Sequence, residues 1–196
     1  MTGGYRNHME CQKINIRNFR ETDRPNIVQE YHEFGKPPWN EKVDDEETNN
    51  TINRWLRNNA IILIAEDEGG IFHGFGVGFE LRYKSDIASR IPEAPPNTLY
   101  LADLVVPEEY THLGIGKLLT TERIKRRAIQ IAQNTVPVVV RLSASLPSAS
   151  KNYEALGMVK VAEMSVLNIK INADGREEEK ADLRNLYFGR VKRTDV

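Results

Sequence analysis

The order of polar and apolar residues in the first half of the chain predicts strands and a hairpin. Residues 13–17 alternate between polar and apolar positions, as a half-buried strand does. Residues 60–65 form a continuous apolar run that is too short for a typical helix and rich in β-branched side chains, which indicates a central strand. The turn Glu68–Gly70 leads into a glycine-rich strand at 71–81, so these two strands are expected to pair as a hairpin.

Apolar residues three and four positions apart, together with capping residues and helix breakers, predict four helices. They run from residue 22 or 23 to 35, and over 45–57, 114–133 and 148–156. Four more segments with strand character lie at 99–106, 136–144, 159–171 and 183–191. Prolines mark 85–97 as a loop, and the charge run 176–180 is expected to be a solvated loop or hairpin tip. The predicted fold class is α/β, with a mixed central sheet of about seven strands flanked by about four helices.

Length and charge narrow the class of protein. The chain has 196 residues, and we interpret residues 9–196 as a single domain and residues 1–8 as a non-native or disordered segment. The 27 Lys and Arg residues balance 28 Asp and Glu residues, which gives a formal net charge of -1. Proteins that coat nucleic acid or anionic membranes usually carry a basic excess, so neither partner is expected.

The cysteine and histidine content indicates a reduced compartment and no metal site. Cys11 is the single cysteine, so an internal disulfide and a two-cysteine metal site are both excluded. The four histidines, His8, His32, His73 and His112, are scattered along the sequence. No apolar run approaches the roughly 20 residues of a membrane-spanning helix, and the N-terminus lacks the apolar part of a secretion signal. We therefore expect a cytoplasmic protein.

The most informative segment is the junction between the strand at 99–106 and the helix that begins with Gly114-Ile115-Gly116-Lys117. The first N–H groups of a helix have no intrahelical acceptor, and the helix dipole adds positive potential there. The two glycines leave room for a pyrophosphate on those donors, and Lys117 adds a cation. Gly-x-Gly alone is equally compatible with a plain tight turn, and neither the phosphate-loop motif nor the Gly-x-Gly-x-x-Gly dinucleotide fingerprint is present.

This junction resembles the signature of the GNAT superfamily of acetyltransferases, Arg/Gln-x-x-Gly-x-Gly/Ala, which stands here as Thr111-His112-Leu113-Gly114-Ile115-Gly116. Residues 103–107, Asp-Leu-Val-Val-Pro, are similar to the strand and proline-bearing turn of that family. Residues 149–158 are similar to its second cofactor segment, Ala-x-x-x-Tyr-x-x-x-Gly-Phe. The chain departs from the family pattern at Thr111, which replaces Arg or Gln, and at Leu146, where many members carry Asn.

The resemblance implies an enzyme that moves an acetyl group from acetyl-CoA to a primary amine of a small molecule or peptide. It also implies that Tyr153 protonates the departing thiolate, since a phenol with a pKa of about 10 stays protonated at neutral pH. The residues implied to bind acetyl-CoA lie on the strand, at the junction and on the following short helix: Leu104, Val105, Val106, His112, Leu113, Gly114, Ile115, Gly116, Lys117 and Asn152. The alternative is a coenzyme A-binding sensor or interaction domain without catalysis. The changed Thr111 and the absence of Glu at Ala102 fit this alternative, whereas the retained Tyr153 argues against it.

The sequence leaves open which group takes the proton from the attacking amine. Many relatives carry Glu one position before the strand Asp, but Ala102 stands at that position here. Asp103 and Glu80 are the leading candidates, and Glu163 and His73 compete with them. No residue pattern supports a covalent acyl-enzyme, so direct transfer in a ternary complex is expected.

Selection of the amine is expected to come from the first two helices, the 85–97 loop and the last hairpin. The helices and the loop carry or adjoin aromatic and acidic residues: Trp39, Trp55, Tyr83, Glu46, Glu47 and Asp86. These would suit a cationic acceptor, although buried tryptophans and solvated acids are the simpler interpretation. Four basic residues on the predicted 114–133 helix are likewise interpreted as a solvated face in preference to a contact with the nucleotide 3′-phosphate: Arg123, Lys125, Arg126 and Arg127. A homodimer is common in this family.

Overall fold

The structure is a computed structural model that describes residues 13–37, 39–145 and 147–196. Residues 1–8, Cys11 and the departure at Leu146 lie outside the described residues. The described ranges contain seven strands: β1 (Asn15–Asn18), β2 (Ile61–Glu66), β3 (Phe72–Glu80), β4 (Leu99–Val105), β5 (Thr135–Ser143), β6 (Val159–Ile171) and β7 (Glu177–Lys192). Five α-helices occur in the described residues: α1 (Arg24–Tyr31), α2 (Asp45–Arg57), α3 (Ser85–Ala88), α4 (Ile115–Gln130) and α5 (Pro147–Glu154). The predicted fold class is confirmed, with one more helix than expected.

Two local predictions were wrong. The 85–97 segment is not a plain loop, because it contains α3 and its apolar pair Ile87 and Ile91 is buried at one turn's spacing. The charged stretch 176–180 is also not a loop: from Glu177 onward its backbone pairs with β6, although its side chains are exposed. In both places a backbone pairing or a buried side chain decides the structure, and local composition does not.

All seven strands form one sheet in the order β1-β2-β3-β4-β5-β7-β6. Neighbours are antiparallel except β4 and β5, which run parallel and pair over only three positions, Leu99–Leu101 with Val138–Val140. Beyond those positions the two strands separate. The sheet is therefore divided at its centre into a β1–β4 half and a β5–β7 half.

Helices cover both faces of this sheet. On one face α4 packs Ile115, Leu119 and Ile124 into the largest apolar cluster, together with Leu101 and Val138. On the other face α1 and α2 bury a second cluster that contains Ile27, Ile52, Trp55 and Phe75. Each fully buried side chain of this size contributes roughly 1.5–3 kcal/mol relative to an exposed one. No helix among the described residues is long and apolar enough to cross a membrane.

Candidate functional site

The gap between β4 and β5 begins where their pairing ends. Leu104 and Val105 pair with β3 on one side, opposite Gly76 and Phe75. On the side that faces β5, the residues after Leu101 have no strand partner in the described part of the chain. Apart from the Asp103 carbonyl, which accepts from Arg123, their backbone groups on this side are therefore available to an extended ligand that lies in the gap.

The N-terminus of α4 follows this strand after a short connection, residues 106–114, and has the conformation that the motif predicts. Gly114 caps the helix in the left-handed region, with φ of 80°, which favours glycine. A Cβ added at Gly116 would meet only Leu104 Cδ2, at 3.6 Å, which is an ordinary contact. The packing of the protein itself does not exclude a side chain there, so the open space fits a ligand such as the pyrophosphate of acetyl-CoA.

The other predicted cofactor residues divide into exposed side chains and buried ones. His112, Leu113, Lys117 and Asn152 are exposed, whereas Ile115 is buried and can offer only its backbone N–H to a ligand. Thr111, which replaces the Arg or Gln of the family pattern, makes a hydrogen bond within its own loop. Its hydroxyl donates to the backbone carbonyl of Glu108 at 2.8 Å.

A β-bulge in the middle of β4 sets the direction of the Asp103 side chain. The register places Gly78 opposite Leu101 and Gly76 opposite Leu104, so two residues of β4 oppose the single residue Val77. Leu101 and Leu104 both face α4, while Ala102 and Asp103 face the α1 side of the sheet. Without the extra residue, simple alternation would have pointed position 103 into the α4 core.

Arg123 of α4 holds this bulge from the opposite face. Its side chain is fully buried, and its guanidinium donates to the Val77 carbonyl at 2.7 Å and to the Asp103 carbonyl at 3.3 Å. Gly76 gives it room, because a Cβ at Gly76 would lie 3.1 Å from the Arg123 Nε. Burial lowers the pKa of Arg123, and the nearby Tyr153 hydroxyl and Asp103 carboxyl act in the opposite direction. Arg123 is thus close enough to interact with both Tyr153 and Asp103.

A cavity of about 780 Å³ opens on the α1 side of the sheet, with Asp103 in its wall. Asp103 accepts a hydrogen bond from the Tyr31 hydroxyl at 2.9 Å. Burial raises the pKa of Asp103, and the Tyr31 hydrogen bond and the Arg141 charge partly oppose that rise. A carboxylate whose pKa is raised is a better proton acceptor than an exposed one. Asp103 is therefore a partly exposed carboxyl group with a raised pKa in the wall of this cavity.

The structure does not bring Glu80 to this cavity. Glu80 lies at the far end of β3, where it pairs with Arg127 at 2.9 Å and with Arg82 at 2.6 Å. It lines a separate, smaller cavity of about 190 Å³. The adjacency of β3 and β4 therefore does not bring the two carboxylates together, because Glu80 and Asp103 lie at different ends of the paired strands.

The other two base candidates also lie outside the Asp103 cavity. Glu163 is half-exposed on β6 and pairs with Lys160. His73 is buried beside Asp67, with its Nε2 3.2 Å from Asp67 Oδ2, and its ring packs edge-on against Tyr110. Neither side chain lines the cavity that contains Asp103.

The interpretation of the α4 basic residues as a solvated face was wrong for two of the four. Arg123 and Arg127 are buried, and Arg127 donates to Glu80 and to the Asn97 carbonyl, each at 2.9 Å. They lie four residues apart on the same helix face as Ile115 and Leu119, which is the signal that could have revealed their burial. Lys125 and Arg126 remain on the accessible side.

Only some of the residues expected to select the amine line the Asp103 cavity. Trp39, Glu46 and Glu47 line the Asp103 cavity. Trp55 is a core residue, in agreement with the simpler interpretation. Tyr83 and Asp86 lie elsewhere, so the 85–97 segment does not contribute to this cavity.

Comparisons with known proteins bear on the fold. No protein-family model matches the sequence, and no curated protein sequence matches it. A GNAT superfamily phosphinothricin acetyltransferase from Sinorhizobium meliloti, solved with acetyl-CoA, superposes with a TM-score of 0.65 at 16% identity, over 91% of this chain and 89% of that chain. The fold is that of the GNAT acetyltransferases.

Two further structures share the GNAT fold with this chain. The ribosomal-protein-alanine N-acetyltransferase from Brucella melitensis gives a TM-score of 0.65 at 19% identity, over 89% of this chain and 98% of that chain. A spermidine N-acetyltransferase variant from Vibrio cholerae gives 0.60 at 12% identity, over 92% and 94%. Because these identities are low, the likeness establishes the GNAT fold and leaves the acceptor open.

A metal centre is not suggested by the side chains that the structure describes. Within residues 13–37, 39–145 and 147–196, no group of three or more His, Cys, Asp or Glu side chains is arranged to hold a metal ion. The expectation that the reaction needs no metal stays a prediction.

Proposed function

We propose that this protein is an acetyl-CoA-dependent N-acetyltransferase that acts on a primary amine by direct transfer. The observation that carries the proposal is the position of the β4 bulge. On one side the strand borders the gap and the α4 N-terminus, and on the other side Asp103 faces a cavity large enough for a small acceptor. Donor and acceptor sites therefore meet at one strand.

The chain's own residues have distinct parts in the proposed reaction. Backbone N–H groups at the start of α4 bind the pyrophosphate, and free backbone groups of β4 orient the thioester, which the donor supplies as its reactive bond. Asp103 takes the proton from the amine as its nitrogen attacks the acetyl carbon. Tyr153 gives its proton to the departing sulfur, and the buried cation of Arg123 stabilises the phenolate that remains.

The alternative of a coenzyme A-binding domain without catalysis makes a different prediction. Calorimetric titration with acetyl-CoA, combined with an assay of thiol release over a panel of primary amines, separates the two. Binding together with amine-dependent thiol release supports the enzyme. Binding without turnover on any amine favours the sensor, and no binding at millimolar ligand would remove both.

A further inference from the structure

We propose that the acceptor is a small amine that also carries a carboxylate, and that Arg141 binds this carboxylate while Asp103 receives the amine. The inference rests on the proposed function, because it names the acceptor class of the same reaction. It depends on which charges in the Asp103 cavity are already paired within the protein and which are not.

Most charges on the hairpin side of the cavity are paired with one another. Glu41 contacts Lys170 at 3.3 Å and Arg184 at 3.4 Å, and Asp182 contacts the same two cations at 2.8 and 3.2 Å. Arg184 also lies over the ring of Trp39. Two carboxylates and two cations thus form a neutral network, which has no charge left for a ligand.

Arg141 is the exception on the β5 side. Its neighbours Val140 and Leu142 face the α4 core, so strand alternation turns Arg141 into the cavity. The side chain is half-buried and has no hydrogen-bond or ion-pair partner in the described part of the chain. A half-buried guanidinium that makes no ion pair within the protein is free to bind an anion, and its planar donors fit a carboxylate in bidentate geometry.

Asp103 supplies the opposite charge in the same cavity. Arg141 is near enough to Asp103 for its positive charge to lower the pKa of that carboxyl. A ligand that contacts both must therefore present a cationic or amine group to Asp103 and an anion to Arg141.

A purely cationic acceptor such as a polyamine fits this arrangement less well. Its second ammonium group would approach the unpaired Arg141 guanidinium. Asp44, Glu46 and Glu47 do line the cavity, but all three are exposed, so solvent weakens their attraction for a cation, as it does for the exposed Arg54. The exposed apolar side chain of Leu167 and the ring of Phe34 leave an apolar wall for the remainder of a small amino-acid-like molecule.

The experiment compares the binding of matched pairs of amines, and each pair is tested on the CoA-saturated protein and on the unliganded protein. Each L-amino acid is tested beside the primary amine that lacks only its carboxylate, and spermidine is included. Binding is measured by calorimetry. Acetylation is measured separately, with acetyl-CoA as the donor, from the release of the CoA thiol. We expect at least one amino acid to bind about 10- to 100-fold more tightly than its decarboxylated partner, since charge-assisted bidentate pairs contribute on that scale.

Two variants assign the preference to Arg141. Arg141→Gln should remove the 10- to 100-fold preference for the carboxylate and leave binding of the decarboxylated amine within about threefold. Lys42→Gln is the matched control, because Lys42 lines the same cavity but pairs with Glu177 at 2.9 Å. This control should keep the preference of the original chain.

Three outcomes would overturn the proposal: tighter binding of decarboxylated amines or spermidine, no binding of any amino acid, or a preference that survives in Arg141→Gln. Failure of the proposed function gives a different result. In that case acetyl-CoA does not bind, while the amino-acid titrations of the unliganded protein still report on the Arg141 cavity.

Discussion

The hydrogen bond from Tyr31 to Asp103 gives a quantitative test of the proposed base. Tyr31→Phe removes only the hydroxyl, which lies 2.9 Å from Asp103 Oδ2, and keeps the ring that stacks on Phe75. That hydrogen bond favours the ionised carboxylate and so opposes the rise that burial causes in the Asp103 pKa. Without it, the Asp103 pKa should rise further.

The size of the effect follows from the strength of the bond. A hydrogen bond to a charged group contributes about 1.5–3 kcal/mol, and 1.36 kcal/mol corresponds to one pH unit. The reaction needs Asp103 in its ionised form, so activity is lost as pH falls through the pKa of this group. Tyr31→Phe should therefore move the acidic limb of the profile to higher pH by about one to two units.

The assay is kcat/KM measured from about pH 5 to about pH 10 for the original chain and for three variants, Tyr31→Phe, Tyr110→Phe and Asp103→Asn. Tyr110→Phe is the matched control, because its ring packs on His73 and the residue does not line the Asp103 cavity. The control should leave the acidic limb in place. An unshifted limb in Tyr31→Phe, or a full rate in Asp103→Asn, would refute Asp103 as the base.

Four other changes have expected outcomes. Tyr153→Phe should lower kcat by roughly 10- to 1000-fold with acetyl-CoA affinity nearly intact, as calorimetry and turnover would show. Gly116→Val should weaken acetyl-CoA binding by at least about 10-fold without a large change in Tm, since the site is open apart from one ordinary contact. Arg123→Met should lower kcat by about 10-fold or more, because two carbonyls at the bulge lose their buried donor. Asp103→Asn should raise the Tm at about pH 8, because burial raises the pKa of Asp103 and its ionised form therefore opposes folding. At about pH 3, below the pKa of this carboxyl in the unfolded chain, the group is protonated in both states, so the substitution should leave the Tm unchanged.

Local sequence signals were sufficient to predict the β4–α4 junction and the succession of strands and helices along the chain. Gly114 needs a positive φ, and the apolar residues that follow it at helical spacing define α4. The burial of Arg123 and Arg127 was missed because a basic residue was assumed to be solvated. Their position on the face of Ile115 and Leu119 was already visible in the sequence.

The position of Asp103 could not be obtained in the same way. Strand alternation predicts that residue 103 faces the same side as Leu99 and Leu101, and only a one-residue bulge reverses it. The pairing of Glu80 with Arg127 also depends on tertiary contacts between β3 and α4. Register irregularities and long-range ion pairs leave no periodic trace in a single sequence.

The bulge in β4 affects what a change in the length of this strand would do to the site. Leu101 and Leu104 both face α4 with two residues between them, where regular alternation would place one. Deletion of one of these two residues should therefore change which group faces the Asp103 cavity and leave both leucines on the α4 side. Central strands seldom tolerate a change in length, but here the proposed base lies at the bulge of β4, where loss of one residue restores regular pairing.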